Sequence, residues 1–124
     1  MHAYDATNFS PPAPIATVDF VDFETRRVVN DVLMLLDTGA DVSVVPKAIV
    51  DALGSVITVD AAETVSIIGG TSSTGAAQLQ MRWLQFKFTG TFLVIDASYG
   101  IIGRNILNRL RIAYDGPQQG WDIT

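Results

Sequence analysis

Five consecutive apolar residues, Val32-Leu33-Met34-Leu35-Leu36, run directly into Asp37-Thr38-Gly39-Ala40, and this junction constrains the chain more than any other feature. An unbroken Val- and Leu-rich run of this length fits a strand buried on both faces. Such a strand delivers Asp37 from the interior, where a carboxylate is costly to desolvate unless it is hydrogen-bonded or shares a proton. Asp-Xaa-Gly sequences also open ordinary turns, so these four residues gain chemical meaning only from their surroundings.

Those surroundings read as a mainly β domain. Residues 1 to 14 lack periodicity and end in Pro11-Pro12-Ala13-Pro14, which suggests a flexible N-terminal tail or an edge-hugging arm ahead of a domain over 15–124. Ile15 to Phe23 alternates loosely, Arg27 to Leu36 forms a second strand, and the polar residues between them suit a hairpin turn. Pro46 to Leu53 predicts a short helix with Ala48, Ile49, Ala52 and Leu53 on one face and Gly54 as its stop. Strand-like segments follow at Val56 to Val59, Glu63 to Ile68, Ala76 to Phe88 and Thr91 to Ile95, with Gly90 as a tight turn between the last two. Gly103 to Leu110 predicts a second short helix. Ile112 to Tyr114 and Gly120 to Ile123 read as short strands about an Asp115-Gly116-Pro117 turn. Many short strands with two small helices imply a closed or sandwich-like barrel.

Composition excludes several classes of function. The chain is 48% hydrophobic, yet its longest apolar run falls far short of the roughly 20 residues a membrane span requires. The apolar excess therefore goes into a core or a subunit interface, where Trp83 and Trp121 belong, and no membrane association is expected. Net charge is -5 with Lys and Arg scattered, so no basic stripe invites nucleic acid. There is no cysteine, which removes thiolate nucleophiles and Cys-ligated zinc. His2 is the lone histidine, in the tail, and no metal site is expected. The start of the chain has neither a basic cluster nor an apolar segment, so a cytoplasmic location is the default expectation.

Two further segments carry potential chemistry. Val65 to Gly75 contains Ile68-Gly69-Gly70-Thr71, two strand-like arms joined by glycines and small hydroxyl residues, which would form a hairpin whose backbone can approach a ligand. Gly100-Ile101-Ile102-Gly103-Arg104-Asn105 reads as a buried strand forced to turn, followed by an Arg able to offer planar paired donors to a carboxylate. Each segment alone has a plain structural reading, as a long hairpin loop or a strand entering a helix.

In this order the three segments resemble the retropepsin family, the single-domain aspartic peptidases of retroviruses and their cellular and bacterial relatives. Leu35 to Asp41 is similar to the family's catalytic loop, Ile68-Gly69-Gly70 to its flap, and Ile101 to Leu107 to its C-terminal strand and helix. The Pro46 to Gly54 segment looks more like the helix of cellular and bacterial relatives than a retroviral loop. The resemblance implies a closed acid-protease barrel with a flap hairpin, assembled as a two-fold homodimer, because each chain supplies one Asp-Thr-Gly. It implies Asp37 as the catalytic carboxylate of a proton-sharing pair, Thr38 reaching toward the partner subunit's backbone, and Gly39 letting substrate pass close. Ala40, Asp41, Ile68, Gly69, Gly70, Thr71 and Ile102 would contact a polypeptide substrate; Ile101, Gly103 and Arg104 would support the site, with Arg104 paired to Asp41. No cofactor or metal is implied. Ala40 lacks the hydroxyl found at this position in pepsin-type enzymes, which predicts a less acidic activity optimum. The other reading is a catalytically silent module of the same fold, serving dimerisation or peptide binding.

Overall fold

The computed structural model describes residues 1–59 and 75–124. The strand expected over Glu63 to Ile68 and the flap residues Ile68, Gly69, Gly70 and Thr71 lie outside the described residues. The described residues form nine strands, β1 (His2–Ala3), β2 (Ile15–Val21), β3 (Val28–Leu36), β4 (Val44–Pro46), β5 (Gly75–Trp83), β6 (Phe86–Ile95), β7 (Gly100–Ile102), β8 (Ile112–Asp115) and β9 (Gly120–Ile123). Two helices, α1 (Lys47–Leu53) and α2 (Arg104–Leu107), complete the described elements. Six strands close a barrel in the order β2-β3-β7-β4-β6-β5, and a separate three-stranded sheet runs β1-β9-β8. The expected mainly β barrel with two small helices is therefore the observed fold. Among the described residues, no helix is long and apolar enough to cross a membrane.

Alternation decides which side chains fill the barrel. Val18 and Phe20 of β2, Met34 of β3, and Leu79, Met81 and Trp83 of β5 point inward and form one cluster with Val45, Ile102 and Trp121. β3 keeps this alternation through its apolar run. Val32, Met34 and Leu36 are buried, whereas Leu33 and Leu35 are half-buried, so the run is not covered on both faces within one chain. A smaller cluster of Val44, Ala76, Leu93, Ile95 and Ile101 lies beside it, with half-buried Leu35, Ala40 and Val42 packed on top.

Local chemistry explains where the elements stop. Pro46 precedes α1 in an extended conformation, and Gly54 ends the helix with φ +66°, donating its N–H to Asp51 O at 3.1 Å. The inward residues of α1 are Val50 and Leu53, while Ala48 and Ala52 are exposed. The apolar face is thus turned by about one residue from the expected one, because β-branched Val50 fills the core better than alanine. The β5–β6 hairpin turns at Leu84-Gln85, with Trp83 opposite Phe86, and not at Gly90, which pairs with Leu79 in mid-strand. Leu84 takes φ +54°, a conformation leucine rarely adopts, so turn chemistry gave no sequence signal there. Thr58 makes a single bridge to Ala76, and no full strand forms over Val56 to Val59.

Residues 1–14 take the form of an edge-hugging arm. β1 pairs with β9, placing His2 opposite Trp121, and the two rings stack 4.3 Å apart. Asp5 and Ala13 bridge each other, and Pro14 O accepts the Leu36 N–H at 3.0 Å. Trp121 is 2% exposed; its indole N–H donates to Ile15 O at 3.3 Å and its ring lies 5.7 Å from Trp83. Both tryptophans are core residues of their own chain.

Candidate active site

The site begins where β3 ends. Parallel pairing of β3 with β7 sets Leu35 beside Ile101 and Leu36 beside Ile102. The next residue, Asp37, donates its N–H to Ile102 O at 3.0 Å, so the backbone entering the turn is held by β7. Asp37 O then accepts the Ala40 N–H at 3.2 Å, and the Asp37 carboxylate accepts the Gly39 N–H at 2.8 Å. These two bonds close a tight turn that fixes the carboxylate relative to the backbone. Asp37 is half-buried, and Thr38 and Gly39 on its outer side are exposed.

Gly103 and Arg104 clamp the rest of the loop from below. The Arg104 N–H donates to Ala40 O at 2.9 Å, and one Nη donates to Thr38 O at 2.7 Å. The other Nη donates to the Asp41 carboxylate. Arg104 thus spans Thr38 to Asp41 with its rigid planar fork, one donor going to a backbone carbonyl and one to the carboxylate in place of the paired donors to a single carboxylate that the sequence suggested. The Asp41 side chain is 77% exposed and that of Arg104 42% exposed, so within one chain this pair stabilises the fold by only about 0–1 kcal/mol. Its contribution is geometric: it fixes the shape of the turn that carries Asp37.

Gly103 is required by space and not by backbone angle. Its φ of -93° is accessible to any residue, but a Cβ there would stand 2.3 Å from Val42 O and 3.0 Å from Ala40 O. The loop and the strand–helix junction therefore touch backbone to backbone.

Two residues that sequence reasoning missed complete the clamp. Ser43, 0% exposed, accepts the Gly103 N–H on its hydroxyl at 3.0 Å and donates to Asn105 Oδ1 at 2.8 Å. A single hydroxyl buried between the 37–41 loop and α2 satisfies both. The available signal was a lone serine in the apolar stretch Val42 to Val45, a position where an unpaired hydroxyl would be costly.

The two isoleucines divide differently from expectation. Ile102, expected at the substrate surface, is 0% exposed within the main core and serves the site through its carbonyl. Ile101 faces the smaller cluster with Ala40 and Val42, because neighbouring residues of a strand point to opposite sides. Asp37, Thr38, Gly39, Ala40, Asp41, Ile101, Gly103 and Arg104 are brought together in one unit. A cavity of about 530 Å³ between the 22–24 turn and the β5–β6 hairpin, lined by Phe23, Val56, Leu79 and Thr91 among others, contains none of them. Among the described residues, no group of three or more His, Cys, Asp or Glu side chains could hold a metal ion.

Comparison with known proteins agrees with this fold. The retroviral aspartyl protease family model matches residues 21–114. Among solved structures, EIAV protease complexed with the inhibitor HBY-793 is similar at 22% identity and TM-score 0.57, over 78% of this chain and 86% of that one. The retroviral protease-like domain of Ddi1 from Leishmania major is similar at 18% identity and TM-score 0.54, over 88% of this chain and 87% of that one. At these identities the two structures speak for the fold. No curated protein sequence matches the chain. The family model spans most of the chain and includes the Asp37 turn and the Arg104 clamp, and the chain belongs to the retroviral aspartyl protease family.

Proposed function

We propose that two copies of this chain form an aspartic endopeptidase in which Asp37 and its symmetry mate act as a catalytic pair on extended polypeptides. The observation that supports this most directly is the clamped turn. Asp37 is held at its backbone by Ile102 and at its carboxylate by Gly39, while Thr38 and Gly39 lie open on the outer side. A turn so fixed, with an exposed face, suits a second copy approaching about a two-fold axis. Two carboxyls brought within hydrogen-bond reach share one proton and titrate as a unit. The ionised member takes a proton from water, and the protonated member polarises the scissile carbonyl and donates to its oxygen. The water then adds to the carbonyl carbon, and the amine leaves with a proton. Half-buried Ala40 and Val42, over the smaller apolar cluster, would form part of the wall facing an extended substrate strand.

The test is incubation of the purified chain with a broad peptide library across about pH 3 to 8, beside Asp37→Asn. Cleavage abolished by Asp37→Asn is the expected result. Cleavage unchanged by it would overturn the assignment, and no cleavage by either form would favour a silent binding or dimerisation module.

A further inference from the structure

The cavity between the 22–24 turn and the β5–β6 hairpin carries one sign of charge. At about 530 Å³ it falls within the range of about 300–1,000 Å³ in which small-molecule sites occur. Asp22 and Glu24 line it, and no Lys or Arg stands among its described lining residues. Phe23, 58% exposed, and Val56, 70% exposed, give it apolar walls that the described chain leaves uncovered.

Two polar groups of this lining are incompletely satisfied. Asp22 is 5% exposed, yet the N–H groups of Glu24 and Thr25 both go to its Oδ1. The nearby Ser55 hydroxyl and these N–H groups hold its carboxyl below the usual range against the effect of burial, so it is ionised at neutral pH. Among the described residues it nevertheless forms no ion pair, and Arg27 of the same hairpin lays its guanidinium beside Gly54. The second group is backbone. Ala76 exchanges both hydrogen bonds with Thr58, at 2.8 and 2.9 Å, and Gln80 pairs with Val21. Bonding direction alternates along an antiparallel strand, so Gln78, midway between them, turns its N–H and C=O to the same side, where β2 has already ended. No described residue meets either group.

From this lining we infer a site for a small organic cation, with an ammonium group held by Asp22, Glu24 and the Gln78 carbonyl and an apolar body packed against Phe23 and Val56. An ammonium group carries three N–H donors and no acceptor, which suits two carboxylates and a carbonyl. A carboxylate as buried as Asp22 gains most from such a charge-assisted donor. An anionic ligand would meet two like charges, and a neutral one would leave the buried charge without a partner. The site is separate from the Asp37 loop, none of whose residues lines the cavity.

The test follows backbone amide shifts of the full chain by NMR with three probes of one shape: phenethylamine, phenethyl alcohol and phenylpropionate. Phenethylamine is expected to saturate shifts at Phe23, Glu24 and Gln78 and to bind about tenfold or more tighter than the alcohol, with phenylpropionate not binding. Asp22→Asn should remove the preference for the amine. Because that change also weakens the fold, Glu24→Gln, at an exposed position, is the second variant and should reduce the preference about threefold. Asp37→Asn should bind the amine as the parent does. Equal affinity for the three probes, no saturation by the amine at millimolar concentration, or a preference untouched by both Asp22→Asn and Glu24→Gln would overturn the proposal. Amine shifts centred on the Asp37 loop and lost in Asp37→Asn would overturn it as well. A lysine-containing peptide that binds at the same amides more tightly than the amine would replace the small molecule with a protein segment as occupant, and so would also overturn it.

Discussion

Replacing Gly103 with alanine is the sharpest test of how the site is built. The added Cβ would stand 2.3 Å from Val42 O and 2.6 Å from Val42 C, where about 3.4 Å is the nearest ordinary contact. One backbone must therefore yield by about 1 Å. Neither is free to do so: Val42 lies between the Asp41–Arg104 contact and buried Ser43, and Gly103 lies between β7 and α2. Overpacking a core typically costs about 1–3 kcal/mol, and an obstacle of backbone instead of side chain puts this case near 3 kcal/mol. For a domain of this size about 4 °C of melting temperature goes with each kcal/mol, so the midpoint should fall by about 12 °C. Loop displacement of about 1 Å at Asp37 would also lower peptide turnover by about a hundredfold, beyond any loss from unfolding. The assay is thermal melting by circular dichroism, followed by turnover measured well below the midpoint. Gly90→Ala is the control, since nothing lies within 4 Å of its Cβ position. A Gly103→Ala midpoint within about 2 °C of that control would refute the argument from space.

Three other substitutions probe the same framework. Ser43→Ala leaves the buried Gly103 N–H without an acceptor and should cost about 1–3 kcal/mol, read as a lowered urea midpoint that Ser43→Thr largely restores. Arg104→Lys keeps the charge but loses the fork between Thr38 O and Asp41, so turnover should fall about tenfold or more while the melting temperature moves by no more than a few degrees. Asp22 accepts the N–H groups of Glu24 and Thr25 at 2.8 and 3.1 Å, and its carboxyl is held below the usual range by the nearness of the Ser55 hydroxyl, which itself makes no hydrogen bond, and by these two N–H groups, against the opposing effect of burial. A pKa lowered in the fold contributes stability that is complete above the unfolded value and is lost as pH falls through the folded one. Asp22→Asn should therefore lower the melting temperature at neutral pH, and the gap to the parent should shrink on acidification below about pH 4; a gap that widens on acidification would refute the sign.

The sequence was legible wherever one residue type had one physical use. The loose alternation of β2, Gly54 at the end of α1, and the pairing of Arg104 with Asp41 all follow from side-chain period, glycine's tolerance of positive φ, and the reach of a guanidinium. Readings failed where tertiary contacts decided among locally equal choices. Gly90 offers the stronger turn signal, but the turn falls at Leu84 because that register lets Trp83 face the core. Ile101 and Ile102 are chemically alike, and only the pairing of β3 with β7 decides which of them enters the main core. Ser43 is a lone hydroxyl whose partners lie about 60 positions along the chain, a distance local patterns do not span.

One departure bears on function. A wholly apolar approach to Asp37 suggested a carboxylate delivered from a fully covered interior, yet Leu33, Leu35 and Asp37 are half-buried and Thr38 is exposed. The apolar run is thus longer than one chain can cover, and the desolvation cost expected for the Asp37 carboxylate is only partly incurred in a single chain. On the proposed two-fold arrangement the approach of a second copy would complete both: it would bury the remaining apolar surface and bring up the other carboxyl at the same moment. Burial that disfavours charge and a neighbour that shares the proton would then arise together. Catalytic competence would accordingly track the dimer population, and activity per chain should rise with protein concentration until the dimer saturates, as mass action requires.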